Sequence, residues 1–197
     1  MKRVVFSKLK GGVGASTACA NLAMHLAKVG GEKVAVEDLD HAQKTIENLV
    51  ENFGGLIEMY GGGSGYDYLF TDSGAGIPDS SVSKAIHNAD LIIVPARPGG
   101  ADFNSTFSYL EWLEQHHRRQ LKKTCLLFTN VQSTTKLAGD IPEMARECKK
   151  DFGVRTFKTH LSMRTGYALA LTSGWKALPK AARDELASLA LEVAKLA

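Results

Sequence analysis

Three glycines fall within four positions, Gly11-Gly12-Val13-Gly14, between a β-branched run, Val4-Val5-Phe6, and a segment in which Cys19, Leu22, Ala23 and Leu26 repeat with helical spacing. Strand, glycine loop and helix is the context in which backbone N–H groups and a helix N-terminus converge on an anion. Glycine suits such a loop because side chains would block close approach and because the backbone visits positive φ. Lys10-Gly11-Gly12-Val13-Gly14-Ala15-Ser16-Thr17 therefore reads as a phosphate cradle, against the plainer reading as a glycine turn. Ser16 has a hydroxyl placed to coordinate magnesium and Thr17 one placed to bond an α-phosphate, although both also serve as helix caps.

The rest of the chain repeats the alternation. Gly30-Gly31 stops the first helix, and Val34-Ala35-Val36 is a second buried strand ending in Glu37, Asp38 and Asp40. A glycine-rich surface turn, Gly61 to Gly65, precedes a third strand, Tyr68-Leu69-Phe70-Thr71, ending at Asp72; Ala89 to Val94 and Cys125 to Phe128 read as a fourth and a fifth. Helical periodicity covers about 103–117 and 141–152, and a closing amphipathic helix spans 179–197 through Leu186, Leu189, Val193 and Leu196. Strands alternating with helices predict an α/β fold with a doubly wound, mostly parallel sheet. With 197 residues, 44% hydrophobic and 23% charged, one domain over 1–197 is expected.

The loop and the acidic strand ends resemble the ParA/MinD family of P-loop ATPases with a deviant Walker A motif. Lys10 matches that family's early, signature lysine, Asp38-Leu39-Asp40 its Asp-x-Asp switch and Tyr66-Asp67-Tyr68-Leu69-Phe70-Thr71-Asp72 its Walker B strand. The resemblance runs in family order along nearly the whole chain and is greatest to compact plasmid-partition ParA proteins. It implies ATP and ADP with Mg2+ as ligands, held by Lys10 to Thr17, with Ser16, Asp38 and Asp72 toward the metal. It also implies that Lys10 reaches a partner's phosphates in an ATP-bound homodimer, and that Asp40 orients the attacking water. Gly74-Ala75-Gly76 would be the loop that senses the γ-phosphate. Pro95-Ala96-Arg97-Pro98 and Asp102 lie where relatives carry a Pro-x-x-Pro piece leading to the dimer face. Asn130 follows the fifth strand where this fold recognises the base.

Ala15 departs from the family pattern, which has a second lysine there whose ammonium pairs with the β- and γ-phosphates. A charge-assisted hydrogen bond is worth about 1.5–3 kcal/mol, so its loss weakens nucleotide binding by about ten- to a hundredfold. Binding is implied more strongly than hydrolysis. Ala15 fits an introduced substitution or a natural variant similar to the TadZ/CpaE branch. Three functions follow from the resemblance: a partition switch with DNA as its track and a small ParB-type or cargo-adaptor partner; a localisation scaffold of the TadZ/CpaE kind that hydrolyses poorly; and a biosynthetic P-loop enzyme, for which no second-substrate pocket is legible.

Composition narrows these. A net charge of +3 excludes a polycation that holds nucleic acid by bulk attraction, so nonspecific DNA binding needs a local patch. Two basic clusters qualify, His116-His117-Arg118-Arg119 with Lys122-Lys123, and Lys149-Lys150 with Arg155 and Lys158; solvated helix faces explain them equally well. Cys19, Cys125 and Cys148 lack CxxC spacing and point to free thiols in a reducing cytoplasm, nucleoid-associated where DNA is bound. The histidines lack zinc-ligand spacing. No apolar run is long enough for a leader or a span, and the last helix is too weakly basic for a membrane tail, so no stable membrane insertion is expected.

Overall fold

The structure is a computed structural model that describes residues 1–197, Ala101 by its backbone alone. Seven strands form one sheet: β1 (Lys2–Lys8), β2 (Val34–Asp38), β3 (Glu58–Met59), β4 (Tyr68–Ala75), β5 (Leu91–Ala96), β6 (Thr124–Phe128) and β7 (Arg155–Thr156). Their order is β3-β2-β4-β1-β5-β6-β7, and every pairing is parallel. From β1 the chain moves to one side for β2 and β3, returns to β4, then crosses to β5. The loop after β1 therefore opens at the point where the strand order switches direction, the crevice where sheets of this kind bind ligands.

Helices cover both faces, which is why the central strands are continuous apolar runs rather than alternating ones. In chain order they are α1 (Ala15–His25), α2 (Thr45–Leu49), α3 (Ser80–Asn88), α4 (Gly100–His117), α5 (Lys136–Gly139), α6 (Ile141–Phe152), α7 (Thr165–Ser173) and α8 (Lys180–Leu196). Val4, Phe6, Val36 and Phe70 pack beneath α1, α7 and α8 against Leu22, Met24, Leu171, Leu186 and Val193. Val5, Ile92, Val94 and Leu126 face the other way, onto Ile86 of α3, Leu110 and Leu113 of α4, and Cys148 of α6. Alternate residues of β1 thus belong to different cores, and residue 8 falls in phase with Val4 and Phe6, on the α1 face.

Several expectations shift. The two-residue edge strands β3 and β7 are additional, so the strands expected third to fifth are β4, β5 and β6. β4 runs past Asp72 to Ala75, and β5 includes Pro95 and Ala96, which the sequence reading placed beyond the strand. Proline is tolerated there because β1 pairs with β5 only from Leu91 to Ile93, so the missing N–H at Pro95 costs no bond on that side. Helix α1 passes into a π turn at Leu26–Gly30 and stops at Gly31, whose φ of 71° is left-handed. Helix α8 packs as core through Ala182, Leu186, Leu189, Ala190 and Val193. No helix among the described residues is long and apolar enough to cross a membrane.

Candidate nucleotide-binding site

Gly12 and Gly14 both have φ of 78°, so the loop takes the left-handed conformations its glycines permit. Gly14 is the N-cap of α1, where no side chain caps the helix, and the first turn contains no acidic residue. The N-terminal N–H groups of α1 are thus free of side-chain partners on a helix end carrying partial positive charge. Phosphate is the ligand such an end accepts. Thr129, the residue after β6, clamps the loop by donating from Oγ1 to the Val13 carbonyl at 2.6 Å. Asn130, held at a φ of 52°, places its Nδ2 3.3 Å from where a Cβ on Gly14 would sit, and so lies directly against the loop.

The acidic residues are less free than the sequence suggests. Asp38 accepts from the Asp40 N–H at 3.0 Å through one oxygen, and from the Ile46 and Glu47 N–H groups at 2.8 and 3.2 Å through the other. Burial raises its pKa against the pull of those three N–H groups, with the Asp72 charge adding to the rise. Asp40 turns back on its own loop, its Oδ1 accepting from the Ala42 and Gln43 N–H groups at 3.2 and 2.9 Å. Gly74 packs against it so closely that a Cβ at residue 74 would lie 3.0 Å from the Asp40 Cγ. Next along, Ala75 lies near the loop, its Cβ 3.8 Å from where a Cβ on Gly11 would sit. Asp38 and Asp72 are register partners on β2 and β4, which brings the two expected metal-side carboxylates together.

Two lysines complete the site. Lys10 is 49% exposed and its Nζ lies 2.5 Å from Asp102 Oδ1 on α4, with Arg97 Nε 3.9 Å from the other oxygen. Asp102 thus holds the signature-position lysine within its own chain. Lys8, which the sequence reading passed over, is 7% exposed, and its Nζ donates to Asp72 Oδ1 at 2.9 Å. Asp72 is fully buried, and its Oδ2 has no hydrogen-bond partner among the described residues. A lysine in phase with the buried residues of a central strand was the available signal.

The residues fit a nucleotide. The uncapped helix end, the glycine cradle, the Ser16 and Thr17 hydroxyls at its start, and the half-used carboxyl of Asp72 supply anion donors and metal-side oxygens in one place. No group of three or more His, Cys, Asp or Glu side chains among the described residues could hold a metal alone. A cation here would share its ligands with the phosphates.

A glycine loop at the switch point of a parallel sheet, beside two acidic strand ends, defines a P-loop fold. The family model described as ATPase MipZ matches residues 2–61, which span the loop and the Asp38–Asp40 strand end. The chain is similar in structure to a plasmid partition protein from Borrelia burgdorferi bound to AMPPNP, with TM-score 0.70, 17% identity and coverage of 98% of each chain. It is similar to the MinD cell division protein of Aquifex aeolicus, with TM-score 0.69 and 16% identity, covering 100% of this chain and 98% of that one. MinD of Pyrococcus horikoshii complexed with Mg-ADP gives TM-score 0.67 and 18% identity, covering 100% and 97%. No curated protein sequence matches. The fold is that of ParA and MinD proteins, and the family-model match covers the segment that carries the phosphate loop.

Proposed function

We propose that this chain is a nucleotide-dependent dimerisation switch of the ParA kind that positions DNA or another large cargo, with the 1–197 chain acting as one nucleotide-binding domain. The observation that carries it is the uncapped N-terminus of α1 behind two left-handed glycines at the sheet's switch point. ATP or ADP sits with its phosphates on Lys10 to Thr17 and its base toward Asn130. Magnesium, when bound, neutralises phosphate charge; Ser16 would hold it, with Asp38 and Asp72 behind. Lys10, released from Asp102, turns to the phosphates of a second copy, and Asp40 orients water. Relatives crystallised with AMPPNP and Mg-ADP support the ligand class, and a MinC:MinD complex in the same fold supports a partner-dependent role.

A second reading is favoured by two observations: Ala15 provides no ammonium, and Asp72 already carries an ion pair. Both suit a localisation scaffold of the TadZ/CpaE kind that binds nucleotide and turns it over slowly. Calorimetry with ATP and ADP in magnesium, on this chain and on Ala15→Lys, with light scattering after size exclusion and phosphate release measured on the same samples, separates these. ATP-induced dimers of the unaltered chain support a switch, and turnover that rises only in Ala15→Lys supports the scaffold. Absence of binding in both chains overturns the nucleotide reading altogether.

A further inference from the structure

The loop lacks one lysine, and a buried lysine that no motif predicts stands beside it. Resting on the nucleotide reading above, we propose that Lys8 is the phosphate lysine of this protein, supplied from the end of β1 in place of the one missing at residue 15. Two observations converge. Lys8 is in phase with Val4 and Phe6, on the face where α1 begins, two residues before the loop. Its Nζ has three N–H groups and one hydrogen-bond partner among the described residues, Asp72 Oδ1, leaving two donors unspent on a side chain that is 7% exposed. A buried ammonium with unspent donors is an anion site in waiting.

The position is shared with the start of α1. Cys19, at the second turn, has its thiol pKa raised by burial first, then by the Asp72 charge, while the Lys8 charge pulls it down. Lys8, Asp72 and the first turns of α1 therefore form one electrostatic neighbourhood. Ala15 is 2% exposed at the head of that helix, and its methyl supplies no ammonium there. Asp72 accepts from the Lys8 ammonium through Oδ1, while its second oxygen has no partner among the described residues.

The test uses the full chain with ATP and ADP, in Mg2+ and separately in EDTA, where Asp72 has no metal to serve. Lys8→Met is expected to weaken ATP binding by at least about tenfold. Because that change strands a buried carboxylate, Lys8→Met/Asp72→Asn is measured beside it, with folding checked by circular dichroism and melting temperature. Its ATP affinity in EDTA is expected to stay low, and Lys8→Met/Ala15→Lys is expected to recover it. A folded Lys8→Met/Asp72→Asn chain that binds ATP in EDTA as tightly as the unaltered protein overturns the assignment and leaves Lys8 as a counter-ion for Asp72. Failure of the unaltered chain to bind any nucleotide overturns the functional reading first, and the assignment with it.

Discussion

Lys10 and Asp102 show how a single contact sets a threshold. Their pair is partly exposed, so it is worth about 0–1 kcal/mol, enough to hold a lysine at home without trapping it. If Lys10 must cross to a second copy, both protomers' pairs break on association, so Asp102→Asn should tighten the ATP-dependent dimer by up to about thirtyfold. Sedimentation at several concentrations reads this, and an unchanged dimer constant would count against a trans role for Lys10. Gly74 makes an opposite case, because its φ of 69° is left-handed and a methyl group there would sit 3.1 Å from the Asp40 Cα, so that Asp40 must give way. Gly74→Ala should cost about 1–3 kcal/mol in urea unfolding, through strain and displacement of Asp40. A loss below about 0.5 kcal/mol would mean that the turn relaxes freely. The three thiols are buried, with the pKa values of Cys125 and Cys148 pushed up to about 12 by burial. They should resist maleimide in the native protein and react on unfolding.

Among the elements, α1 is anchored at its far end by His25, whose ring lies 5.2 Å from that of Trp175 and whose Nδ1 is buried without a partner among the described residues. Burial lowers its pKa below the ordinary 6.5, so the unfolded chain binds the proton more readily than the folded one. Stability is then full above pH 6.5 and falls as pH drops through the window between that value and the lowered one. Burial moves His117 the same way. Melting temperature should fall as pH is lowered through 6.5, and His25→Phe should flatten that slope; an equal slope in both proteins would remove His25 as its source. The elements most legible in the sequence are those with a strong period or a glycine stop: β1, β2, β4 to β6, α6 and α8. β3 and β7 are two residues each, too short to carry a period. Helix α7, Thr-Gly-Tyr-Ala-Leu-Ala-Leu-Thr-Ser, has no polar stripe to mark it. Helix α3 did have a signal, since Asp79 after Pro78 caps it by accepting from the Ser81 and Val82 N–H groups. In the site, the loop was readable from glycine spacing, whereas the Lys8–Asp72 pair joins residues distant in sequence, and the bonds of Asp38 and Asp40 depend on how the turn after β2 folds back on them.

For the whole molecule, the two basic clusters become neighbours, because Arg155 on β7 donates to the Lys122 carbonyl at 3.3 Å. Arg118, Arg119, Lys122, Lys123, Lys149 and Lys150 are all exposed around that contact. They lie where β6 begins, whereas the phosphate loop lies where β1 ends, so in a parallel sheet the patch and the nucleotide occupy opposite edges. If DNA is held there, Arg118→Glu/Arg119→Glu should weaken duplex binding and lower the salt slope by about two. Fluorescence anisotropy across a salt series reads both, and an unchanged slope would remove this patch from consideration.

The Lys8–Asp72 pair has one more consequence. An ammonium tied by its own chain to a buried carboxylate is present at the same effective concentration whatever the ionic content of the solution. The protein thus carries a resident counter-ion for its buried Asp72. Its empty state is electrically settled before any ligand arrives, and chelators that unsettle metal-dependent proteins should leave its fold untouched.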